Sequence, residues 1–557
     1  MSGGRRAPGR PTRRSVIVGG VASALVAPGL VTPAGASDDT LPGIFPIVID
    51  DTAPGRLISP LIYGSSEIGT ADGGARSAEL DRAAHVTARR LGGNLMTAYN
   101  WVNNATNAGK DFQHANGAFL LDMLGVPDPH RTRPAAVIEA MHHASLAMGA
   151  KSLVTLPLAG FVAADFGGPV AAEAAAPSAR FVPVRWRGHA GAADPIDPKV
   201  ADIPQLLARL VQRFGGADTP DGIHAYALDN EPGLWFENHP RIVTGRMPIR
   251  TFIERSVAAA RAIKAADPAA AVFGPVCWGA TEMVDFQQAP DWNEFRHYGS
   301  FIAAYLDTFR AASARAGQRL LDVLDIHWYP FSRRGSLFRT EQPDLAEALL
   351  DAPRSLTEPG FREDSWVADV LPVGDGEALA LPLLPSLERL IARRYPGTRI
   401  SVTEFNFGGA GQLVSGLALA DVLGRFGAAG VYFACHWGSL AGWLGEAYRL
   451  FRVADATGAP FGGRALGVAT PGGPAVTAYA AAGAAGAPLH LVVLNKATQA
   501  AEIEVAFASG RSPRLLSVRG FDAAHPATTT LPAEAQVGER SVRIALPARA
   551  ARRFTFA

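Results

Sequence analysis

Cysteine is almost missing from this chain: its 557 residues include two, Cys277 and Cys435, each inside an apolar run of strand character. A disulfide framework is therefore excluded. Net charge is nearly missing as well, at +1 overall. Residues 1–36 carry five arginines and no acid, so the remainder holds 47 basic against 51 acidic residues, a balance of −4. A mildly acidic body without Lys/Arg blocks suits neither nucleic acid nor anionic lipid, and neither partner is expected. Beyond residue 36 no apolar run reaches the ~20 residues that a membrane-crossing helix needs, so stable membrane insertion is not expected. Heptads are absent, which removes coiled-coil architectures.

What remains is an ordinary globular balance, 48% hydrophobic, 18% charged and 8% aromatic, with 59 Gly and 41 Pro that imply many turns. At roughly 150 residues per domain the length suggests three or four domains, or one large barrel plus a smaller unit. The first 36 residues read as an export signal. Arg5, Arg6, Arg10, Arg13 and Arg14 precede a modest apolar run, and Ala34-Gly35-Ala36 offers a cleavage site, the pattern of a twin-arginine leader. A secreted or periplasmic monomer is expected, and two reduced thiols fit export of an already folded protein.

Between residues 57 and 440, short apolar runs alternate with helix-period segments, as in βαβ units around a parallel sheet. The strand pattern recurs eight times, at 57–64, 88–92, 151–158, 223–228, 271–275, 323–328, 399–403 and 430–436. Helical patterns lie at 77–90, 133–149, 203–214, 249–266, 301–316, 384–395 and 417–427. The expected fold is an α/β TIM barrel over 58–465. An open doubly wound sheet is the alternative, but no G-x-G-x-x-G follows the first strand. After residue 466 the texture turns to strands without helices, with period-2 alternation at 501–507 and 541–546. Together with runs at 489–495 and 514–519, this predicts a small antiparallel β-sandwich over 466–557, which a strand within 37–57 can join. An Ala-rich stretch at 171–179 reads as a short helix or an insert in a barrel loop.

In a TIM barrel, chemistry sits where strands end. Strand four ends Leu228-Asp229-Asn230-Glu231-Pro232, strand six Asp325-Ile326-His327-Trp328-Tyr329-Pro330, strand seven Thr403-Glu404-Phe405-Asn406, and strand eight His436-Trp437-Gly438. Glu231 and Glu404 thus face each other across the mouth. Two positioned carboxyl groups beside aromatics are what glycoside hydrolysis requires, one as a proton donor and one to attack or support the anomeric centre. A lone Glu at a strand end is more often a cap or a surface ion-pair member, and a lone Trp is usually core; the pairing on strands four and seven favours catalysis. Asp229, Glu237, Asp325 and Glu446 are competing acids. Asp229 and Asp325 suit orienting roles, and Glu237 and Glu446 fall later in loops. Trp101, Trp235, Trp328 and Trp437 are expected to offer sugar-stacking faces.

Several stretches taken together resemble glycoside hydrolase family 44, endoglucanases and xyloglucanases with a TIM barrel and a β-sandwich. They include Ile62-Tyr63-Gly64-Ser65, Arg90-Leu91-Gly92-Gly93-Asn94, Tyr99-Asn100-Trp101, Ala227-Leu228-Asp229-Asn230-Glu231-Pro232, Asp325-Ile326-His327-Trp328-Tyr329-Pro330, Thr403-Glu404-Phe405-Asn406-Phe407-Gly408-Gly409 and Ala447-Tyr448-Arg449-Leu450-Phe451-Arg452. The resemblance implies Glu231 as general acid/base and Glu404 as nucleophile of a retaining endo-β-1,4-glucanase acting on β-glucan polysaccharide. A xylanase, a mannanase or a catalytically silent carbohydrate-binding barrel are the alternatives. Asn94, Trp101, Asn230, Trp235, His327, Trp328, Tyr329 and Trp437 are the expected substrate contacts, with Asn230 on the sugar 2-OH and His327 and Tyr329 holding the nucleophile. Val102 stands where the family usually has an acid, and Phe331 is more apolar than usual, departures that bear on subsites and leave both glutamates intact. No cofactor is required. The family also implies structural calcium, for which Asp111, Glu363 and Asp364 are suggestive without forming a ligand set, so no metal ligand is assigned.

Overall fold

The computed structural model describes residues 40–66, 74–188, 191–454, 458–470, 473–483 and 487–557, and the expected export signal lies outside them. Eight strands close into a parallel barrel: β1 (Gly64–Ser65), β2 (Ala88–Leu91), β3 (Lys151–Leu156), β4 (Ala225–Leu228), β5 (Ala271–Cys277), β6 (Val323–Trp328), β7 (Arg399–Phe405) and β8 (Phe433–His436). Each pairs with the next, and β8 returns to β1. Nearly every strand residue is buried, because helices cover the outer face and side chains fill the interior. Ala88, Leu153, Ala225, Ala227, Phe273, Val323 and Phe433 plug the barrel floor. A larger apolar shell joins the strands to helices such as Ile203–Phe214, Ile249–Ala266 and Phe301–Ala316.

Two expected elements are corrected. The first barrel strand is Gly64–Ser65 rather than 57–64, because Ser59 caps a 3₁₀ turn at Pro60–Ile62 and Arg56–Leu57 pairs with a strand of the β domain. The helix expected at 77–90 spans Gly74–Ala83 and stops before His85, whose φ of 56° breaks it. Of the Ala-rich stretch, only Ala172–Ala174 forms a 3₁₀ turn.

The second unit is an eleven-stranded sheet. Along Ala500–Phe507 the alternate residues Ala501, Ile503, Val505 and Phe507 are buried while Glu502 and Glu504 face outward, the alternation that the sequence predicts. These residues share one core with Ile47 and Ile49 of the adjacent strand Thr40–Asp50 and with Leu491, Val493, Phe554 and Phe556 from strands farther along the sheet order, so the sheet curls over a core of its own. It is not purely antiparallel. Thr40–Asp50 lies between Arg464–Ala469 and Ala500–Phe507, parallel to the latter.

The two units share a polar seam. On helix Leu413–Ala429, the fully buried Asp421 accepts from Arg425 Nε (3.1 Å), from Lys496 Nζ of the β domain (2.9 Å) and from the Tyr479 hydroxyl. Burial alone would raise its carboxyl, but the two cations win and hold it at about 2. Gly424 makes the approach possible, since a Cβ there would stand 2.2 Å from Tyr479 Cδ2. Arg553 of the β domain donates to the Phe451 and Val453 carbonyls, capping helix Gly442–Arg452.

Candidate active site

The barrel interior turns polar towards the C-terminal ends of its strands. In β6 the side chains of Val323, Asp325 and His327 fall on one face, and Asp325 accepts from Ser401 Oγ and Thr403 Oγ1 of β7, each at 2.7 Å. The β6/β7 register slips by one residue after Val402, so Glu404 stands opposite His327. On the other side of the mouth β4 ends in Asp229-Asn230-Glu231, where Asp229 (φ 68°) and Glu231 (φ 45°) both adopt the left-handed conformation. Val276 beside them is left-handed at φ 62°, and its carbonyl accepts from the Glu231 N–H at 3.0 Å. Such residues cost on the order of 1–3 kcal/mol each and persist where their surroundings over-determine them.

That over-determination is visible at Asp229. Its carboxylate accepts from Thr97 Oγ1 (2.6 Å) and from the backbone N–H groups of Leu158 (2.5 Å), Ala159 (3.2 Å) and Asn230 (2.7 Å). Burial still pushes its carboxyl up to about 6, against the pull of those donors. Asp229 thereby fixes the chain just ahead of Glu231.

Glu231 and Glu404 meet as their strand positions predict. His327 Nδ1 lies 2.8 Å from Glu231 Oε1 and 3.4 Å from Glu404 Oε2, with all three side chains fully buried. One ligand-type atom from each of the three falls within 4.8 Å of the others. Glu404 accepts from Tyr329 OH (2.7 Å) and from Arg90 Nη1 (2.7 Å), and Arg90 Nη2 donates to Asn230 Oδ1 (2.8 Å). Asn94 braces Asn230 at 3.3 Å and donates to Asp111 at 2.8 Å. The role of Arg90 in holding Glu404 is not legible in the residues alone; the available signal is an arginine inside a four-residue strand that is buried throughout.

The aromatic expectations divide. Trp101 and Trp235, each 1% exposed, and Trp328, 2% exposed, are packed in the apolar core and present no open face to a sugar. Large indoles at the strand ends fill the space between strands and helices; Trp235 stands edge-on to Phe252 at 5.8 Å and its Nε1 donates to the Asn230 carbonyl. Trp437 is half-buried beside Gly93, where a Cβ would come within 2.9 Å of the indole. Phe331 packs edge-on against Trp366 at 5.0 Å, and Trp366 stacks on Trp278 at 5.7 Å. Val102 is half-buried against the core.

Of the other acids, Glu237 lies 3.9 Å from Lys110, and Glu446 accepts from the Thr528 N–H at 2.6 Å. The residues suggested for calcium do not form a cage. Asp111 is engaged by Asn94, the buried Glu363 by the Ser365 hydroxyl, and the exposed Asp364 lies 3.2 Å from Arg333, whereas calcium takes six to eight oxygens around one point. Among the described residues, the His/Cys/Asp/Glu group that converges is Glu231, His327 and Glu404, and Arg90 already neutralises Glu404 there.

Known proteins resemble this chain in sequence and in fold. The family model for glycoside hydrolase family 44 matches residues 105–332. Endoglucanase A of Paenibacillus lautus is 38% identical over 475 residues, covering 83% of this chain and 64% of its own length. Beta-mannanase/endoglucanase A of Caldicellulosiruptor saccharolyticus is 34% identical over 503 residues, and this chain spans 36% of it. The structure of a Paenibacillus polymyxa xyloglucanase from family 44, also solved with xyloglucan, superposes with a TM-score of 0.84 at 34% identity, covering 92% of this chain and 99% of that one. With that identity over the whole of a solved family member, and with both glutamates at the ends of β4 and β7, the chain belongs to glycoside hydrolase family 44.

Proposed function

We propose that this protein is a retaining endo-β-1,4-glucanase acting on β-glucan chains, xyloglucan among them. One observation above all supports this reading: the Glu231 and Glu404 carboxylates approach within 4.8 Å through His327. Retaining glycosidases place these groups about 5–5.5 Å apart, whereas inverting enzymes need roughly 6.5–9.5 Å to admit a water. Glu404, held by Arg90 and Tyr329, is the anion suited to attack. Its oxygen bonds to the anomeric carbon as the glycosidic C–O bond breaks, and the leaving oxygen takes the proton of Glu231. Water then enters, gives a proton back to Glu231 and displaces Glu404. Asn230, steered by Arg90 and Asn94, suits a contact with the sugar 2-OH that strengthens in the transition state.

A reducing-sugar assay on carboxymethylcellulose, xyloglucan, xylan and mannan, with the anomer of the first product followed by proton NMR, tests the reading. Cleavage of the glucans with an initial β-anomer is expected. Cleavage of none of the four, or an initial α-anomer, overturns it. Export by the twin-arginine route belongs to the same proposal: changing Arg13 and Arg14 to Lys keeps the charge, and undiminished export would reject that route. Among the described residues no helix is long and apolar enough to cross a membrane.

A further inference from the structure

Among the buried carboxyls that the reaction above leaves unused, one lies against the backbone of the acid/base. Glu282 sits in helix Ala280–Asp285, just beyond β5, and is fully buried. Its Oε2 accepts from the Trp278 N–H at 2.9 Å and its Oε1 from the Gly233 N–H at 2.8 Å. A glutamate in the first turn that reaches back to an amide just ahead of its own helix is an ordinary cap, and this accounts for the bond to Trp278. It does not account for the bond to Gly233, which lies 49 residues earlier on a different loop. Gly233 is the middle of the 3₁₀ turn Pro232–Leu234, which begins directly after Glu231.

Two further facts tie this contact to Glu231. A Cβ on Gly233 would stand 2.8 Å from Glu282 Cδ, so the carboxyl lies flush against that peptide with no space between them. The same two loops are also joined from the other side, by the Glu231 N–H donating to the carbonyl of left-handed Val276. The backbone carrying Glu231 is thus clamped to the β5 loop both at Glu231 and two residues beyond it. Burial pushes the Glu282 carboxyl up to about 8, and the nearby Glu231 charge adds to this against the pull of the two amides. Such a placement is costly for a mere cap.

We infer that Glu282 is a positioning residue for Glu231: by bridging the β4 and β5 loops it holds the acid/base where its proton reaches the glycosidic oxygen and, later, the incoming water. This rests on the retaining reading proposed above. Proton transfer is sensitive to such placement, and an error of about 1 Å costs on the order of 100-fold.

The test is Glu282→Gln, whose amide keeps one acceptor and sets an NH₂ against the other N–H, so that one loop loses its tie. Wild type and variant are compared on xyloglucan and on 2,4-dinitrophenyl β-cellobioside, whose leaving group needs little protonation, with and without azide. On xyloglucan kcat should fall about 10- to 100-fold. On the aryl glycoside the first-turnover burst should survive while steady-state turnover falls, and azide, which attacks without a general base, should restore it. A structural role alone would lower burst and turnover together, with no azide rescue. That result, or unchanged kinetics, overturns the inference. If Glu282→Gln does not fold, Glu282→Asp keeps the carboxyl but is too short to span both amides; it should show the same pattern, and wild-type kinetics from it would likewise overturn the inference. A wild type inactive on both substrates would sink the hydrolase reading itself, whereas an active wild type with an unaltered variant sinks the positioning role alone.

Discussion

At the barrel mouth two carboxyl groups stand together and one arginine, Arg90, pairs with Glu404, while beneath the β domain an arginine and a lysine share one carboxylate. Both clusters are fully buried or nearly so, yet their charge is balanced in opposite senses. Around Asp421 every charge has a partner and the tyrosine hydroxyl adds another donor, so the cluster ties two units together. Around Glu231 and Glu404, carboxyl crowds carboxyl within 4.8 Å, with His327 between them. Carboxyl groups so placed hand protons on readily and contribute little to holding the fold. Buried charge matched by opposite charge locks structure, and buried carboxyl groups crowded together store reactivity.

The comparison can be broken from either side. The largest expected effect is at Glu404: Glu404→Ala should lower turnover by roughly 10⁴-fold or more on every substrate while the protein still melts cooperatively, read by product release and calorimetry on the same sample. Next, Glu231→Gln should lower xyloglucan hydrolysis by about 10²- to 10⁴-fold and leave Tm unchanged or raised, because it replaces one of two crowded carboxyl groups by a neutral amide of the same shape. A large fall in Tm would place Glu231 among the structural charges instead. At the seam the order reverses. Asp421→Asn leaves Lys496 buried without a counter-charge and Arg425 with only Glu358 at 3.7 Å, and should cost about 3–5 kcal/mol in denaturant unfolding, with kcat at 25 °C unchanged in the folded protein.

The smallest effects lie in pH. The native carboxyl of Asp421 is held at about 2, below its ordinary 3.8, so its contribution of about 2 kcal/mol is complete above pH ~4 and is lost as pH falls towards 2. Asp229 works in the other sense. Its native carboxyl is raised to about 6, so the folded state keeps a proton that the unfolded chain releases, and stability declines by about 3 kcal/mol as pH rises from ~4 to ~6. Unfolding free energies from pH 2 to 7 should therefore lose the acid limb in Asp421→Asn and the slope between pH 4 and 6 in Asp229→Asn. A curve of wild-type shape in either variant would remove that residue from the account.

Much of the barrel is legible in the sequence because two-sided burial writes a continuous apolar run, as in Val323–Trp328 or Ala271–Cys277, and helices such as Ile203–Phe214 carry a clear apolar stripe. Helix Gly442–Arg452 is missed where Gly442 and Gly445 weaken the pattern. Strand Ala550–Phe556 is missed because Arg552 and Arg553 sit inside it, buried against Asp522 and against helix carbonyls that no local pattern announces. The same divide runs through the site. Glu231 and Glu404 are legible from their places at strand ends. Arg90 and Glu282 are not, since a buried charge is explained only by partners 314 and 49 residues away. The sugar-facing tryptophans were expected from adjacency to those strand ends, and adjacency does not say which side of the barrel wall an indole takes.

Strand Thr40–Asp50 sits between Arg464–Ala469 and Ala500–Phe507, neighbours separated from it by the entire barrel sequence. During synthesis it leaves the ribosome before the barrel and must wait, unpaired and with Ile44, Ile47, Val48 and Ile49 in it, until more than 400 residues later its partners appear. The β domain cannot be finished before the barrel, and the barrel cannot be freed of it afterwards without leaving an open gap in the sheet. Assembly order is thus built into the connectivity: the chain closes like a belt, with the buckle made of strands from either side of the barrel sequence. Long-range closure of this kind makes folding slow, and it makes partial unfolding from either end costly.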